Sequence, residues 1–200
     1  MRLPPPRFVG AFPRADAALD PPLPEIALVG RANVGKSSLL NALAGARIAR
    51  VSATPGKTRS LNVYLLLLPP GSLYLLDLPG YGYSRASKAD RAAFRQLVTH
   101  ALTRPRLAGV LWLLDIRREP SPEDREVQDL LAGRGTAVLA AVTKSDKLPR
   151  RQRTHCEDGL RDALSLDTDQ ILVTSARTGE GVAELREAIG ELVRTHESDR

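Results

Sequence analysis

The sequence predicts an α/β fold with a mostly parallel six-stranded sheet, one antiparallel edge strand and helices on both faces. Strand-like apolar runs and helical patterns alternate almost throughout the 200 residues, as is typical of parallel sheets covered by helices. Two consecutive strand-like runs are separated only by residues 69–72, Pro-Pro-Gly-Ser, which indicates a hairpin and therefore the antiparallel strand. With 42% apolar residues, a chain of this length can form one sizeable domain.

The first half of the chain begins with a strand and a helix. Residues 25–30 are an apolar run ending in glycine, and residues 36–45 place apolar side chains at helical spacing before a terminal glycine. The hairpin strands are predicted at 61–68 and 73–80, and an amphipathic helix follows at 88–103.

The second half repeats the alternation. A helix beginning at Ser121 has a serine cap, then proline and acidic residues in its first turn, and it ends at Gly133. The remaining predicted elements are a buried strand at 109–116, a strand at 136–146, a basic helix to about Leu164, a strand at 170–176 and a helix at 181–196. Ligands bind at the carboxyl ends of the strands in such sheets, so the motifs found there are the candidate site.

The N-terminal segment differs in composition from the rest, because seven of the fifteen prolines lie in the first 24 residues. We expect residues 1–23 to be an extension, extended over the surface or partly disordered, and 24–197 to be the domain. No apolar run approaches the roughly 20 residues that span a bilayer, and the prolines break any signal-peptide core. We therefore expect a cytoplasmic protein without membrane insertion. The single cysteine, Cys156, is predicted to be a structural or surface thiol.

The net charge of +6 favours an anionic partner without identifying it. Residues 46–60 contain four basic side chains and no acid, and residues 143–153 contain five basic side chains against Asp146. For either run alone, a solvated loop is the simpler interpretation. Together with the bases at 85, 88 and 91, they make a surface facing RNA plausible. The sequence shows no heptad run and no long hydrophobic edge, so we expect a monomer.

The strongest motif runs from Gly30 to Ser37 and fits G-x-x-x-x-G-K-[ST] between a strand and a helix. Glycines let backbone N–H groups surround a phosphate at the positive end of the helix. Lys36 supplies charge to the β- and γ-phosphates, and the Ser37 hydroxyl can ligate Mg²⁺. The alternative is a chance glycine-rich turn. The other predicted contacts of this phosphate loop are Arg31, Ala32, Asn33, Val34, Gly35 and Ser38.

A second motif, Asp77-Leu78-Pro79-Gly80, follows a strand about 40 residues later. Asp77 resembles the acid that holds Mg²⁺, usually through water, and Gly80 would offer its N–H group to the γ-phosphate. On its own this motif is weak, since acidic turns are common.

Two further segments predict the base. Asp146, in the segment Thr143-Lys144-Ser145-Asp146, can accept from the N1–H and 2-amino groups of guanine, whereas adenine offers no donors there. The stem of Lys144 would cover the base plane. In the segment Thr174-Ser175-Ala176, the Ala176 N–H group could meet the guanine carbonyl oxygen.

These residues resemble a translation-factor-class GTPase, and more narrowly the EngB (YihA/YsxC) family of ribosome-biogenesis GTP-binding proteins. The resemblance rests on PEIALVGRANVGKSSLLNAL, SATPGKTRSLN, DLPGYGYS, LLDIRREPSPED and TKSDKLPR, and it extends from about Pro24 to Gly181. It implies a three-layer P-loop NTPase fold of the Ras-like type. It also implies Mg²⁺-dependent hydrolysis of GTP to GDP, and a role in assembling the large ribosomal subunit that is needed for normal cell division and septation. Ala32 replaces a serine that is frequent in the family.

The resemblance assigns Thr58 as the switch threonine that ligates Mg²⁺ and senses the γ-phosphate, whereas spacing alone leaves Thr54 as a rival. Lys36, Thr58 and Gly80 are the predicted catalytic residues. The switch segment adds Gly56, Lys57, Arg59 and Ser60 to the predicted nucleotide site.

Tyr81 occupies the position where many GTPases have a water-orienting glutamine. A phenol cannot reproduce the donor and acceptor geometry of a carboxamide, so slow intrinsic hydrolysis is expected. In related GTPases, an asparagine at the position of Asn33 helps to hold K⁺. The alternative for Asn33 is that it only stabilises the loop.

Several other polar residues have simpler interpretations. Trp112 is predicted in the core, and the three histidines are predicted to be surface groups. Asp115 ends a strand near the site, but a structural hydrogen bond to Arg117 or to a neighbouring loop explains it equally well. Two alternative functions remain open, a P-loop kinase and an RNA-binding module in which the nucleotide is structural. The carboxylate of Asp146 argues against the kinase.

Overall fold

The computed structural model describes residues 5–50, 60–69, 71–82 and 87–198. These ranges contain seven strands in one sheet, flanked by five α-helices. The strands are β1 Arg7–Phe12, β2 Glu25–Gly30, β3 Leu61–Leu68, β4 Gly71–Asp77, β5 Leu107–Asp115, β6 Val138–Thr143 and β7 Ile171–Val173. The helices are α1 Lys36–Ala44, α2 Lys88–Leu102, α3 Pro122–Ala132, α4 Arg150–Ala163 and α5 Val182–Ser198.

The strand order is β1-β3-β4-β2-β5-β6-β7. The pairs β1–β3 and β3–β4 are antiparallel, and the other pairs are parallel. The predicted α/β class with helices on both faces is confirmed. The predicted count of six strands is one short, because β1 lies inside the segment interpreted as a proline-rich extension.

Strand β1 gave little signal in the sequence because it is a mostly exposed edge strand interrupted by Gly10. Its register with β3 shifts between Phe8 and Gly10. The chain that follows is held by Arg104, whose Nη1 donates to Ala17 O at 3.0 Å and whose Nη2 donates to Glu25 Oε1 at 2.6 Å. The N-terminal segment is therefore packed onto the sheet.

The sheet separates two apolar layers. Helices α2, α3 and α4 cover one face, where Val98, Val127 and Leu160 are buried. Helices α1 and α5 cover the other face, where Leu40 and Ile189 are fully buried. The central strand β5 is buried along its whole length, so the carboxyl ends of β2, β4, β5 and β6 are held rigidly at one edge. Within the described residues, no helix is long and apolar enough to cross a membrane.

The helix caps follow the sequence pattern. Ser121 accepts from the Asp124 N–H group, and the Asp124 carboxylate accepts from the Ser121 N–H group, so α3 begins with a complete capping box. Ser87 and Asp90 form the same arrangement at α2. Strands β6 and β7 are shorter than predicted because the residues after each leave the ladder to build the site.

Candidate functional site

The phosphate loop connects the end of β2 to the start of α1. A Cβ on Gly30 would lie 2.9 Å from Val34 Cγ1 and 3.0 Å from Leu113 Cβ, so only glycine allows this close packing. Gly35 has a φ of 109° and Asn33 a φ of 62°, which turns the loop around the N-terminus of α1. Among the residues that the structure describes, no side chain caps this helix end. The first-turn N–H groups therefore remain available to an anion such as phosphate.

Lys36 is the first residue of α1 and directly follows the turn at Gly35. Burial lowers its pKa, while the nearby charge of Asp77 acts in the opposite direction. A Cβ built on Gly80 would lie 3.2 Å from Lys36 Nζ. The structure thus brings together Lys36, Asp77 and Gly80, which the sequence predicted from two separate motifs.

Asp77 ends β4 and is 6% exposed. Its Oδ1 atom is buried and has no hydrogen-bond partner among the residues that the structure describes. Burial raises its pKa to about 6, against the opposing effects of Lys36 and of a hydrogen bond from Asn62. A buried carboxylate oxygen that lacks a partner fits a role in holding a divalent cation.

The backbone after Asp77 lies against the phosphate loop. Leu78 is fully buried, and its N–H group donates to Leu28 O at 3.1 Å. A Cβ on Gly80 would lie 3.0 Å from both Cα and N of Ala32. The predicted γ-phosphate contact is therefore a glycine because no side chain fits between the two segments.

The segment after β6 is tied directly to the phosphate loop. Thr143 Oγ1 donates to Val34 O at 2.7 Å, and Lys144 Nζ donates to Asn33 O at 2.5 Å. Lys144 has a φ of 65°, and its Nζ also lies 3.0 Å from Asp115 Oδ2. These contacts fix the base-binding segment relative to the phosphate-binding segment.

The Asp146 carboxylate is held from two sides. Ser175 Oγ donates to Oδ1 at 2.8 Å, and Arg177 Nε donates to Oδ2 at 2.9 Å. Both hydrogen bonds lower the pKa of Asp146, the one from Ser175 most strongly, so the carboxylate stays ionised. An ionised carboxylate at this position can accept two hydrogen bonds from guanine.

Glu180 joins the two base-binding segments and was not identified in the sequence. Its Oε2 accepts from Ser145 Oγ at 2.5 Å, and its backbone oxygen accepts from the Ser175 N–H group at 2.9 Å. Arg153 Nη1 donates to both carboxylate oxygens at 2.8 Å. No motif marks Glu180, since its role depends on three segments that meet only in the fold.

Tyr81 is 6% exposed and its side chain points into the core. Its hydroxyl donates to Asp124 Oδ1 at 2.7 Å and accepts from Trp112 Nε1 at 2.8 Å. A phenol engaged in this way does not face a water at the phosphate loop. The predicted core position of Trp112 is confirmed, and its indole N–H group has a partner that the sequence did not indicate.

The switch residues Thr54, Gly56, Lys57, Thr58 and Arg59 lie outside the described residues, so the choice of Thr58 stays a prediction. Ser60 is described, half-buried and directly before β3. The predicted bond between Asp115 and Arg117 is confirmed, with Arg117 Nη2 lying 2.7 Å from Asp115 Oδ2.

One histidine prediction was wrong. His196 is half-buried, and its Nε2 atom is buried without a hydrogen-bond partner in the described part of the chain. It follows the buried Val193 by about one turn of α5, so part of its ring is enclosed. His100 and His155 are exposed, as predicted.

Comparison with known proteins matches residues 25–144 to the family described as 50S ribosome-binding GTPase. The probable GTP-binding protein EngB of Gemmatimonas aurantiaca is 47% identical over 174 residues, which cover 86% of this chain and 83% of the relative. A solved structure of Era with MgGDPNP and nucleotides 1506–1542 of 16S ribosomal RNA has a TM-score of 0.72 at 26% identity, covering 84% of this chain and 56% of that chain. A solved probable GTP-binding protein engB has a TM-score of 0.69 at 22% identity, covering 86% and 99%.

The fold, the phosphate loop and the guanine-binding segments define a P-loop GTPase, which binds GTP and hydrolyses it to GDP and phosphate. The chain belongs to the EngB family of GTP-binding proteins.

Proposed function

We propose that this GTPase is a cytoplasmic, monomeric, GTP-operated switch in assembly of the large ribosomal subunit, needed for normal cell division and septation. The description of the matched family names 50S ribosome binding, and the similar Era structure holds both a magnesium nucleotide and ribosomal RNA. Both facts support an RNA-containing partner, either the large subunit or its precursor.

The observation that carries the proposal is a basic surface beside the guanine site, formed by Lys147, Arg150 and Arg151. All three side chains are exposed. Arg150 and Arg151 begin α4 and form no ion pair within the described residues. The positive end of the helix dipole adds to their charge, so this surface attracts phosphates. The other two bases of the same run, Lys144 and Arg153, are engaged inside the site.

Mg²⁺ would be held by Ser37, Thr58 and, through water, Asp77. Its charge would counter that of the β- and γ-phosphates. The unpaired Asp77 oxygen supports this assignment. Lys36 and Gly80 would contact the same phosphates.

Intrinsic hydrolysis should be slow, because the Tyr81 side chain is engaged with Asp124 and Trp112. We infer that K⁺ beside Asn33, a ribosomal RNA group, or both complete the site. Asn33 is exposed on the phosphate loop, and its backbone carbonyl already accepts a hydrogen bond from Lys144 Nζ. Hydrolysis rates measured in KCl and in NaCl test the K⁺ role, and equal rates would remove it.

The test of the ribosomal role is sedimentation with large ribosomal subunits, comparing GDP with a non-hydrolysable GTP analogue. Co-sedimentation that depends on the analogue, with faster hydrolysis when subunits are added, supports the proposal. Identical binding with GTP, GDP or no nucleotide would instead indicate an RNA-binding module with a structural nucleotide.

A charge-reversal pair sharpens the experiment. Arg151→Glu is expected to weaken subunit binding by about tenfold at low salt, because it removes a phosphate contact and adds repulsion. The matched control is Arg134→Glu. Arg134 is an exposed base in the loop between α3 and β6, at the amino end of β6, whereas the site lies at the carboxyl ends of the strands. Equal loss in both variants would show only a nonspecific effect of net charge.

A further inference from the structure

Five residues form a connected set that we call the Tyr81 network: Arg31, Tyr81, Trp112, Ser121 and Asp124. The Tyr81 hydroxyl is bonded to Trp112 Nε1 and Asp124 Oδ1. Asp124 Oδ2 accepts from the Ser121 N–H group at 2.8 Å and from Ser121 Oγ at 2.7 Å. Arg31, in the phosphate loop, donates to Ser121 Oγ, and its Nη1 lies 3.6 Å from Asp124 Oδ2. The network therefore joins the phosphate loop, β5 and the start of α3.

The main chain of Tyr81 is fixed as well as its side chain. Ala32 N donates to Tyr81 O at 2.8 Å, and Tyr81 N donates to Gly30 O at 3.4 Å. The residue is thus attached to the phosphate loop by its backbone and to β5 and α3 by its hydroxyl. Its ring also packs against Phe94, with ring centroids 5.6 Å apart.

Gly80 directly precedes this anchored residue. Its Cα lies so close to Ala32 that an added Cβ would be 3.0 Å from the Ala32 backbone. On the other side, Gly82 has a φ of 76°, and a Cβ there would lie 3.0 Å from Arg31 Cζ. Gly80 therefore packs directly against the backbone of the phosphate loop, and Gly82 is the first residue after Tyr81 with a left-handed backbone conformation.

The hydroxyl of Tyr81 does more than fill the core. A phenylalanine would supply the same ring to the apolar cluster without needing two buried polar partners. Burial raises the Tyr81 pKa well above its ordinary value, as does the nearby Asp124 charge. The hydroxyl therefore stays protonated and remains a donor to Asp124.

We propose that Tyr81 is a positioning residue for the γ-phosphate of GTP, whose hydroxyl network holds the Gly80 N–H group beside the phosphate loop before GTP binds. A donor already in place costs no rearrangement when the γ-phosphate arrives. When the anchor is lost, only a fraction of molecules has Gly80 in place, and the apparent affinity for GTP falls by that fraction. GDP has no γ-phosphate, so its affinity does not depend on Gly80. The inference requires only that this GTPase binds GTP and GDP, and it does not depend on the proposed ribosomal role.

The test is Tyr81→Phe in the isolated protein, without ribosomes, so that its result is separate from the proposed ribosomal role. We expect affinity for a non-hydrolysable GTP analogue to fall about tenfold, as for loss of one buried hydrogen bond, and GDP affinity to change less than about twofold. Amide hydrogen exchange in residues 77–82 should be faster in the variant with GDP bound. An unchanged ratio of analogue to GDP affinity, with or without a lower Tm, would overturn the proposal, because a merely structural role predicts that result.

The matched control is Tyr74→Phe. Tyr74 is a buried ring on β4 in the same apolar layer, and its hydroxyl makes no hydrogen bond within the described residues. The ratio of GTP-analogue affinity to GDP affinity in Tyr74→Phe should match that of the unaltered protein. If Tyr81→Phe does not fold, Asp124→Asn is measured in the same way, because it keeps the Tyr81 side chain and removes its charged partner. The same two results then support or overturn the inference.

Discussion

Arg177 and Asp146 form an ion pair in which Arg177 Nε lies 2.9 Å from Asp146 Oδ2. The Asp146 side chain is almost fully enclosed, whereas that of Arg177 is 71% exposed. Ser175 holds the other carboxylate oxygen. The carboxylate that we predict to select guanine is therefore already oriented, by one buried partner and one exposed partner.

Replacing Asp146 with asparagine should change the base preference. Asparagine offers an amide donor where guanine also presents donors, so GDP affinity should fall by about 100-fold or more. Xanthine carries a carbonyl in place of the 2-amino group, so the Asp146→Asn variant should bind XDP more tightly than GDP. Competition between GDP and XDP, followed by fluorescence or calorimetry, measures the reversal.

Arg177→Ala is the control for that experiment. An exposed ion pair contributes about 0–1 kcal/mol, so GDP affinity should change by no more than about fivefold and the preference for guanine should persist. A reversal of base preference in Arg177→Ala would mean that Arg177, and not Asp146, selects the base.

Gly80→Ala should impair GTP binding and hydrolysis more than GDP binding. The new methyl group would lie 3.0 Å from the Ala32 backbone and 3.2 Å from Lys36 Nζ, so the segment must move away from the phosphate loop. We expect hydrolysis to fall by between about tenfold and several hundredfold, since complete loss of one preorganised donor costs about 3–4 kcal/mol. Single-turnover hydrolysis and analogue binding provide the measurement.

Gly159→Ala is the control for Gly80→Ala, because it makes the same substitution away from the candidate site. Gly159 lies within α4, and an added Cβ there would have no neighbour within 4 Å in the described part of the chain. Alanine there should raise the free energy of unfolding by about 0.5–1 kcal/mol and leave hydrolysis unchanged. If both variants lost activity equally, the steric explanation for Gly80 would be wrong.

The buried carboxyl of Asp77 should make stability depend on pH. Its folded-state pKa is about 6, above the ordinary 3.8, so the folded protein binds more protons between these values. Stability contributed by the protonated form is therefore lost as pH rises from about 4 to 6, and the difference of about two pKa units amounts to about 3 kcal/mol. Urea unfolding without nucleotide or Mg²⁺ at several pH values measures this change.

Asp77→Asn provides the comparison, because asparagine does not titrate. The free energy of unfolding of the unaltered protein, minus that of the variant, should decrease between pH 4 and 7. A difference that stays constant across this range would show that Asp77 does not have a raised pKa. At pH 7 the variant should also require more Mg²⁺ for nucleotide binding, since it lacks the charged oxygen.

Glu180→Ala should weaken binding of GDP and GTP alike. It removes the acceptor for Ser145 Oγ and the partner of Arg153, so both base-binding segments lose their common support. We expect about a tenfold loss for both nucleotides, measured as dissociation constants. Glu191→Ala, which breaks an exposed pair with Arg194 on α5, should leave both constants unchanged, and an equal loss there would point to general destabilisation.

Most of the elements were predictable from the sequence because their signals are local. Helix α3 shows this clearly, since its serine cap, proline and first-turn acids all lie within four residues. The end of β6 was predicted three residues too late, because Ser145 leaves the ladder to bond with Thr174 and Glu180. Strand β1 was missed because its pairing with β3 is formed across about fifty residues and leaves most of its side chains exposed.

The α/β class, the phosphate loop and the candidate guanine-binding residues were predictable from the sequence alone. These features depend on short runs whose spacing is set by the geometry of one loop or one helix end. The folded structure was needed to find the partners of the Tyr81 hydroxyl, the support that Glu180 gives to the base-binding segments, and the cause of the raised Asp77 pKa. Those properties arise from burial and from contacts between groups 27 to 43 residues apart, such as the Tyr81 bond to Asp124, and no local pattern encodes a hydrogen-bond partner on another element.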